Sequence, residues 1–531
     1  MRLPLGKVCV ASAFLALSIT MAGCASTGGI APRQTAADPS SLDVGAAVRA
    51  ADRSARWPDA DWWNVYGDAQ LDSLVTEAIA GNPTLAAADA RVREAQSLAG
   101  VAAAELAPHV EGNLSITRQH WADNPLFYGP GELANQNTWN NTGTLGFSYH
   151  LDLWGGDEHA HERALDAAHE RAASERAAQL ELEVNLVRAY VDLSKQYALL
   201  DIATDTLARQ QQLLALAQRR LAGGIGTQLE VSQAQTPLPE YSRQIEALHE
   251  AIDLDRNQLA ALMGKGPGAG AELTRPTLSL DAPAALPSAL PAELIGHRPD
   301  VVAARWSVAG AARGIDVAHA AFYPNINLMA SLGGFAAGGP LFQFLHAANG
   351  AWTAGPALSL PIFEGGALRS KLGAASAGYD EAVDHYNATV VTALKQIADQ
   401  IVQLHSLDAQ QADAARSVEV AEHSYRLAQL GFKRGLNDYV NVIVSETQWL
   451  AAKQGVAQLH AARLAAYASL MGALGGGLTA PADSPDAAAM QPSQHVPFGG
   501  KVLKSLAPGN GTPADAPAAA HEAGDTHGES R

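Results

Sequence analysis

The chain has 531 residues, of which 54 are acidic and 36 basic, so its formal net charge is −18; 47% of residues are hydrophobic but only 6% are aromatic. The acidic balance, without a basic cluster, excludes a nucleic-acid partner, and the low aromatic content argues against a compact enzyme core. The two cysteines, Cys9 and Cys24, are too few for a disulfide framework or zinc fingers.

Residues 1–23 have the features of a lipoprotein signal peptide. Arg2 and Lys7 precede an apolar stretch that is too short to span a membrane as a stable helix, and small residues then lead to Cys24. We expect cleavage before Cys24 and lipid attachment to its thiol, which anchors the chain by about 0.8 kcal/mol per buried CH₂. The alternative is an ordinary secretion signal followed by a chance cysteine.

The segment 24–67 follows the signal peptide and shows little periodicity. We therefore predict a mostly irregular, lipidated N-terminal segment. It contains Trp57, Trp62 and Trp63, and we expect these large side chains to anchor the segment in a core rather than to bind a ligand.

Two parts of the chain carry similar motifs in the same order, at offsets of 208 to 216. The matched pairs include Gly81-Asn82-Pro83 with Arg298-Pro299, Leu106-Ala107-Pro108 with Phe322-Tyr323-Pro324, and Leu262-Met263-Gly264 with Leu470-Met471-Gly472. The pattern predicts two tandem repeats, 68–264 and 288–474, joined by a Pro/Gly/Ala linker at 265–287. The tail 475–531 lacks periodicity and is predicted to be disordered.

Each repeat opens with a helix and two alternating segments. We predict single helices over 68–106 and 288–321, each ending at a proline, and strands at about 109–118, 142–151, 325–333 and 351–360, with exposed loops between paired strands. Strands of this length fit a tilted transmembrane β-strand, although a soluble sandwich remains an alternative. Because the smallest bacterial barrels have eight strands, four strands can span a bilayer only if several chains pool them.

A long helix and a shorter return helix complete each repeat. Residues 157–222 and 367–434 contain no proline and repeat apolar or small residues every seven positions, which predicts helices of about 100 Å in coiled-coil packing. A wide helical tube and an ordinary two-stranded coiled coil both fit this pattern. Return helices are predicted at 228–263 and 438–471, with Pro237 and Pro239 kinking or breaking the first.

No catalytic constellation is present in the sequence. It has no zinc-protease helix, nucleophile elbow, phosphate-binding loop or Cys-x-x-Cys motif. His159 and His161 are two residues apart and would face different sides of a helix, so they do not predict a metal site. We therefore expect neither enzymatic activity nor a cofactor or metal ion.

A set of motifs resembles one known family. They are Asp61-Trp62-Trp63, Leu151-Asp152-Leu153-Trp154-Gly155, Arg298-Pro299-Asp300-Val301, Ala321-Phe322-Tyr323-Pro324, Pro361-Ile362-Phe363-Glu364-Gly365-Gly366 and Arg434-Gly435-Leu436. Together with Cys24 they resemble the TolC-type outer-membrane efflux channels, specifically lipoproteins of the OprM/NodT class. The resemblance implies an α + β membrane protein: a homotrimer whose chains share a twelve-stranded transmembrane β-barrel, continued across the periplasm by a coiled-coil α-helical barrel.

The same resemblance implies partners and site residues. The partners would be a periplasmic adaptor protein, an inner-membrane transporter and the lipid of the outer membrane. The two helix-turn-helix ends would lie at the periplasmic tip, where adaptor docking would involve Gly223, Gly224, Gly226, Thr227, Gly435, Leu436 and Asn437. Candidate gate residues are Arg219, Arg220, Lys433, Arg434 and Asp438.

The implied function is the outer-membrane channel of a tripartite efflux pump, a passive exit duct for drugs or other small toxic compounds. A duct for type I protein secretion would share the fold. A structural envelope lipoprotein with a coiled coil is an alternative from a different class, although it has no need of four alternating strands.

Overall fold

A computed structural model describes residues 27–50, 57–122, 135–280, 294–337, 340–477, 485 and 488–493. The predicted signal peptide, residues 1–23, and the predicted lipidation site Cys24 lie outside this part of the chain, as does most of the tail. The described residues form two compact units, one helical and one built around a β-sheet of residues 108–155 and 325–359. None of the described helices is both long and apolar enough to cross a membrane.

The helical unit contains most of the described chain. Its helices are α1 (Gly45–Ala50), α2 (Ala69–Gly81), α3 (Pro83–Ala104), α4 (Gly156–Ala222), α5 (Gln228–Gln235), α6 (Leu238–Leu262), α7 (Leu294–His297), α8 (Pro299–Ala320), α9 (Ala367–Lys433) and α10 (Tyr439–Ala473). The long helices α4 and α9 have 67 residues each. Their heptad positions supply much of the core, including the buried Leu186, Leu193 and Ile397. Both long helices lie within one residue of their predicted bounds.

The structure corrects two of the predicted helices. The helix expected over 68–106 is broken at Asn82, and the helix expected over 288–321 is broken at Arg298. Each of these residues precedes a proline, which disfavours helical backbone at the preceding position. Asn82 instead caps α3, because its side chain accepts hydrogen bonds from the N–H groups of Thr84 and Leu85 at 2.8 and 3.4 Å. The break predicted at Pro237 and Pro239 is confirmed between α5 and α6.

Segments outside the regular helices pack on the helical unit more closely than the sequence suggested. Trp62 and Trp63 are buried, as predicted, with 5% and 8% of their surfaces exposed. The first part of the predicted linker 265–287 is also ordered against the core, since Leu273 and Leu280 are buried and residues 267–272 form a 3₁₀ helix.

The prediction of disorder is wrong for residues 488–493 of the tail. Met490 is 6% exposed, and its carbonyl accepts a hydrogen bond of 2.9 Å from the hydroxyl of Tyr379 on α9. The backbone N–H of Ser493 donates to Asp316 on α8 at 3.0 Å. A buried apolar side chain and two specific hydrogen bonds therefore hold this short segment against two helices.

The second unit is a four-stranded antiparallel sheet of β1 (His109–His120), β2 (Asn137–Leu151), β3 (Asn325–Ala337) and β4 (Gly350–Ser359) in the order β1-β2-β3-β4. All four strands occur where alternation predicts them, and β1, β2 and β3 extend further into the loops. The register gives the sheet an apolar face, with Val110, Leu114, Leu145, Leu332, Trp352 and Leu358, and a polar face, with Glu111, Asn113, Thr144, Ser331 and Thr353.

Candidate docking and gating site at the helical hairpins

Two helical hairpins contain the residues singled out for docking and gating. The first hairpin joins α4 to α5 through residues 223–227, and the second joins α9 to α10 through residues 434–438. Gly224 and Gly435 adopt the left-handed conformation, with φ values of +73° and +72°. Only glycine occupies this region without strain, so these two residues permit the same reversal of the chain.

Both turns also use the same hydrogen bonds. In the first, the N–H groups of Gly223, Gly224 and Ile225 donate to the carbonyls of Arg219, Leu221 and Arg220. In the second, the N–H groups of Arg434, Gly435 and Leu436 donate to the carbonyls of Leu430, Phe432 and Gly431. The two hairpins therefore have the same backbone design, which satisfies the last carbonyl groups of each long helix.

The side chains that pack inside the two turns are arranged in opposite ways. A Cβ atom on Gly226 would come within 2.9 Å of the Cβ of Arg220, so the glycine leaves room for the arginine. In the second hairpin the small residue is Gly431, where a Cβ would come within 2.9 Å of the Asn437 side chain. Asn437 donates a hydrogen bond of 3.2 Å to the carbonyl of Ala428.

An apolar cluster, here called the tip cluster, joins the hairpins. Its buried members are Leu213, Ala217, Val231, Ala234, Tyr425, Ala428, Phe432, Tyr439 and Val442. Arg220 crosses between the hairpins: its guanidinium carbon lies 4.7 Å from the ring centre of Phe432, and it donates to the carbonyls of Phe432 and Ile225 at 3.2 and 3.3 Å. The two turns are therefore packed as one body.

The residues predicted to dock an adaptor surround exposed apolar side chains. Gly223, Gly224, Thr227, Gly435 and Leu436 are exposed, whereas Gly226 and Asn437 are half-buried by the packing just described. Leu436 is 77% exposed, and its counterpart Ile225 is 71% exposed. Thr227 has a local role as well, because its hydroxyl caps α5 by accepting from the N–H of Glu230. Paired exposed apolar side chains on a rigid turn suit a protein-binding surface.

The five candidate gate residues fall into two groups. Lys433, Arg434 and Asp438 are exposed, as is Arg219, which donates to the carbonyl of Ala215 in its own helix at 3.2 Å. Arg220 differs from them because its side chain is only 15% exposed and connects the hairpins. Its local function is therefore to hold the two turns together.

The sequence reasoning missed a polar group inside the tip. Gln210 is fully buried and donates to the carbonyl of Ala234 and the hydroxyl of Tyr439 at 2.9 and 2.8 Å. Glu446 is 3% exposed, and its Oε1 has no hydrogen-bond partner. Burial raises the pKa of Glu446 to about 7, although the charge of Arg209 opposes the shift. The missed signal is the spacing of Tyr439, Val442 and Glu446, which places an acid on the apolar stripe of α10.

The histidine pair on α4 binds two different partners. His159 lies 3.1 Å from Glu162, and His161 lies 3.2 Å from the carbonyl of Ala99. Within the described ranges, no three histidine, cysteine or acidic side chains are close enough to hold a metal ion together.

Comparison with known proteins gives a consistent result. Residues 74–265 and 290–476 match the family model described as outer membrane efflux protein. The fusaric acid resistance protein FusA of Burkholderia cepacia is 62% identical over 378 residues, which is 71% of each chain. The pyoverdine export outer membrane protein OpmQ of Pseudomonas aeruginosa is 29% identical over 447 residues, covering 83% of this chain and 93% of the relative.

Solved structures with the same fold include two outer-membrane proteins. VceC from Vibrio cholerae has a TM-score of 0.74 and 33% identity, and the match covers 79% of this chain and 100% of VceC. The outer-membrane channel OprN also has a TM-score of 0.74, with 26% identity over 84% of this chain and 98% of that one.

Proposed function

Since the chain belongs to the outer membrane efflux protein family and is an outer-membrane channel of an efflux pump, we propose that it works as a homotrimer with a passive exit duct for small toxic compounds. The family match over residues 74–265 and 290–476 carries this proposal. Energy would come from an inner-membrane transporter, so the duct itself needs no catalytic step.

The sheet supports the trimer. Among the described strands, the two outer ones, β1 and β4, are each paired on one side only, and four strands are too few to close a barrel. Three chains would pool twelve strands, with the apolar face toward lipid and the polar face toward the lumen. The equal lengths of α4 and α9 agree with two tandem repeats, each of which would supply one long helix to a helical barrel in the periplasm.

The two hairpins would be the periplasmic tip that docks the adaptor protein. The exposed Ile225 and Leu436 would supply the apolar contacts, and the residues predicted for docking would shape the turns. Arg219, Lys433, Arg434 and Asp438 are free to pair across subunits when the pore is closed. Cys24 would carry the lipid that anchors the N-terminus in the outer membrane.

The similarity to the fusaric acid resistance protein suggests the cargo, and we expect fusaric acid to be among the exported compounds. The test is deletion of the gene, followed by measurement of fusaric acid tolerance and of dye and antibiotic accumulation in intact cells. Complementation would use the wild type, a Cys24→Ala variant and a Leu436→Asp variant.

Restored export by the wild type, with weak export by Leu436→Asp despite normal amounts of protein, is the expected result. Unchanged accumulation after deletion, with a weakened envelope, would instead support a structural lipoprotein. Loss of a secreted protein without any change in accumulation would support the secretion duct.

A further inference from the structure

The loop between β3 and β4 lies on the apolar face of the sheet rather than standing away from it. Its described residues, 340–349, will be called the β3–β4 loop. Leu114, Gly143, Gly334 and Gly350 form one row of register partners across the four strands. A Cβ on Gly143 would come within 2.7 Å of the Phe344 ring, and one on Gly334 would collide with the Phe344 carbonyl oxygen. The glycines therefore clear the face for this loop.

Polar contacts fix the loop in its position. The side-chain amide of Asn141, which is 1% exposed, donates to the carbonyl of Leu341 at 2.6 Å, and its oxygen accepts from the N–H of Thr117 at 3.3 Å. Asn349 closes the loop internally by donating to the carbonyl of Gln343 at 2.6 Å. Together with the buried ring of Phe344, these bonds make the loop a fixed overhang above the strands. The prediction of an exposed loop holds for most of residues 340–349 but not for Phe344, whose ring is buried.

A cavity of about 730 Å³ lies between the β3–β4 loop and the strands. It is lined mainly by apolar groups, among them Leu114, Ile116, Leu145, Leu332, Phe342 and Leu345. Phe342 and Leu345 are 60% and 71% exposed, although the loop that carries them is firmly held. Leaving such side chains in water is unfavourable by about 25 cal/mol per Å² of apolar surface, so the cavity suits an apolar chain.

A cation and an aromatic ring lie beyond the cavity on the same face. Arg118 follows Ile116 by two positions along β1, toward the hairpin end of the strand, so the two side chains share a face about 7 Å apart. The guanidinium carbon of Arg118 lies 5.1 Å from the ring centre of Trp139. An exposed arginine beside tryptophan, next to an apolar surface, fits the boundary between acyl chains and charged headgroups.

We propose that the cavity under the β3–β4 loop holds an acyl chain of lipid A from the outer leaflet, with Arg118 facing a lipid A phosphate. The inference rests on the proposed function, because a barrel with its helices in the periplasm places the hairpin loops at the outer leaflet. Lipid A is preferred over a zwitterionic phospholipid because its phosphates are anionic and lack a neighbouring ammonium group. The loop would then clamp one lipid molecule on each protomer.

The test uses the full-length trimer in nanodiscs of phosphatidylcholine and lipid A, transferred to mild detergent and weighed by native mass spectrometry. The wild type should retain one lipid A per protomer. Leu332→Trp places a bulky ring among the residues that line the cavity, and should lower that occupancy about tenfold. Leu358→Trp is the matched control: the same substitution on the same apolar face, at the opposite end of β4 and outside the cavity lining, should leave it unchanged.

The headgroup contact has its own variant. Arg118→Gln should weaken retention of lipid A without increasing retention of phosphatidylcholine. Equal lipid A occupancy in Leu332→Trp and the wild type would overturn the site. So would a wild-type trimer that retains no lipid, or wild-type trimers that associate with each other through the apolar face of the sheet without lipid. Retention of phosphatidylcholine instead of lipid A would overturn the assigned ligand. Complementation of the gene deletion by Leu332→Trp tests the efflux function separately, since an export-competent variant without bound lipid leaves that function intact.

Discussion

The two helical hairpins have the same turn, but the glycine that makes room inside it lies on opposite sides of the turn. The first places Arg220 on the long helix and Gly226 after the turn, whereas the second places Gly431 on the long helix and Asn437 after the turn. The backbone hydrogen bonds are the same in both. In each pair, therefore, one of the two residues is a glycine, and it can lie either on the long helix or after the turn.

The hairpins differ again beyond the turn. The return helix of the first ends at Gln235, where the prolines interrupt it, while α10 continues for 35 residues. At the position corresponding to the exposed Gln235, α10 has the buried Glu446. Within the described part of the tip, the second hairpin thus contributes the buried acid and the longer packing surface.

The largest expected effect comes from removing that acid. The carboxyl of Glu446 has a pKa of about 7 in the folded protein, against an ordinary value of 4.5. Between these values the folded state binds more protons than the unfolded state, so the free energy of unfolding falls as pH rises from 4.5 to 7, by roughly 3 kcal/mol at about 1.4 kcal/mol per pH unit.

Glu446→Gln should abolish this pH dependence and raise the melting temperature at pH 8 but not at pH 4, measured by thermal unfolding of the purified protein. Glu419→Gln, at an exposed position on α9, is the control and should behave like the wild type. An unchanged difference between the two pH values in Glu446→Gln would contradict the burial of a protonated carboxyl.

Exchanging the small residue tests the reciprocal packing directly. Gly226→Asn forces a side chain against the backbone of Arg220 and Leu221 and should destabilise the first hairpin by about 1–3 kcal/mol. The matched control is Gly223→Asn, because a Cβ on Gly223 would come no closer than 3.5 Å to its neighbours, and this variant should cost less. Thermal unfolding and limited proteolysis at the tip measure both variants, and equal stability would show that the close approach at Gly226 does not need a glycine.

A smaller effect is expected when the contact between the hairpins is cut. Arg220→Ala removes the cation over Phe432 and two hydrogen bonds to carbonyl oxygens, and should cost about 1–2 kcal/mol. Arg219→Ala, at the exposed neighbouring position, should be close to neutral. Thermal unfolding of the two variants side by side is sufficient, and equal melting temperatures would show that Arg220 does not hold the turns together.

The smallest change in stability should accompany the substitutions that test gating. Arg434→Ala with Asp438→Ala removes two exposed charges and should leave the free energy of unfolding within about 0.5 kcal/mol of the wild-type value. Resting permeability of intact cells to large antibiotics should nevertheless rise, because charged side chains at the tip would no longer interlock. Unchanged permeability would remove both residues from the gate.

The sequence predicts the regular parts of this protein well because their physical signals are local. The proline-free stretches with heptad spacing predicted the bounds of α4 and α9 to within one residue, and the alternation of apolar and polar residues located all four strands. The helix breaks at Asn82 and Arg298 were also encoded locally, by the prolines that follow them, but the apolar pattern obscured them.

Other features depend on contacts distant in the chain. Nothing near Phe344 indicates that Gly143, about two hundred residues earlier, leaves space for its ring. Glu446 could have been noticed on an apolar stripe, yet its burial requires Arg209 and the other helix of the tip. The proposed docking and gating would depend on surfaces formed between chains, so the sequence of one chain suggests those residues without testing them.

The ordered end of the tail sets a practical limit for shortening this protein. A chain terminated after residue 477 would keep all the α-helices that the structure describes, but it would lose Met490 and the bonds that residues 490 and 493 make to Tyr379 and Asp316. A chain terminated after residue 494 would keep these contacts while lacking the residues that follow. Affinity tags and fluorescent fusions should therefore be placed after residue 494, where they leave the contacts of residues 490 and 493 with α9 and α8 intact.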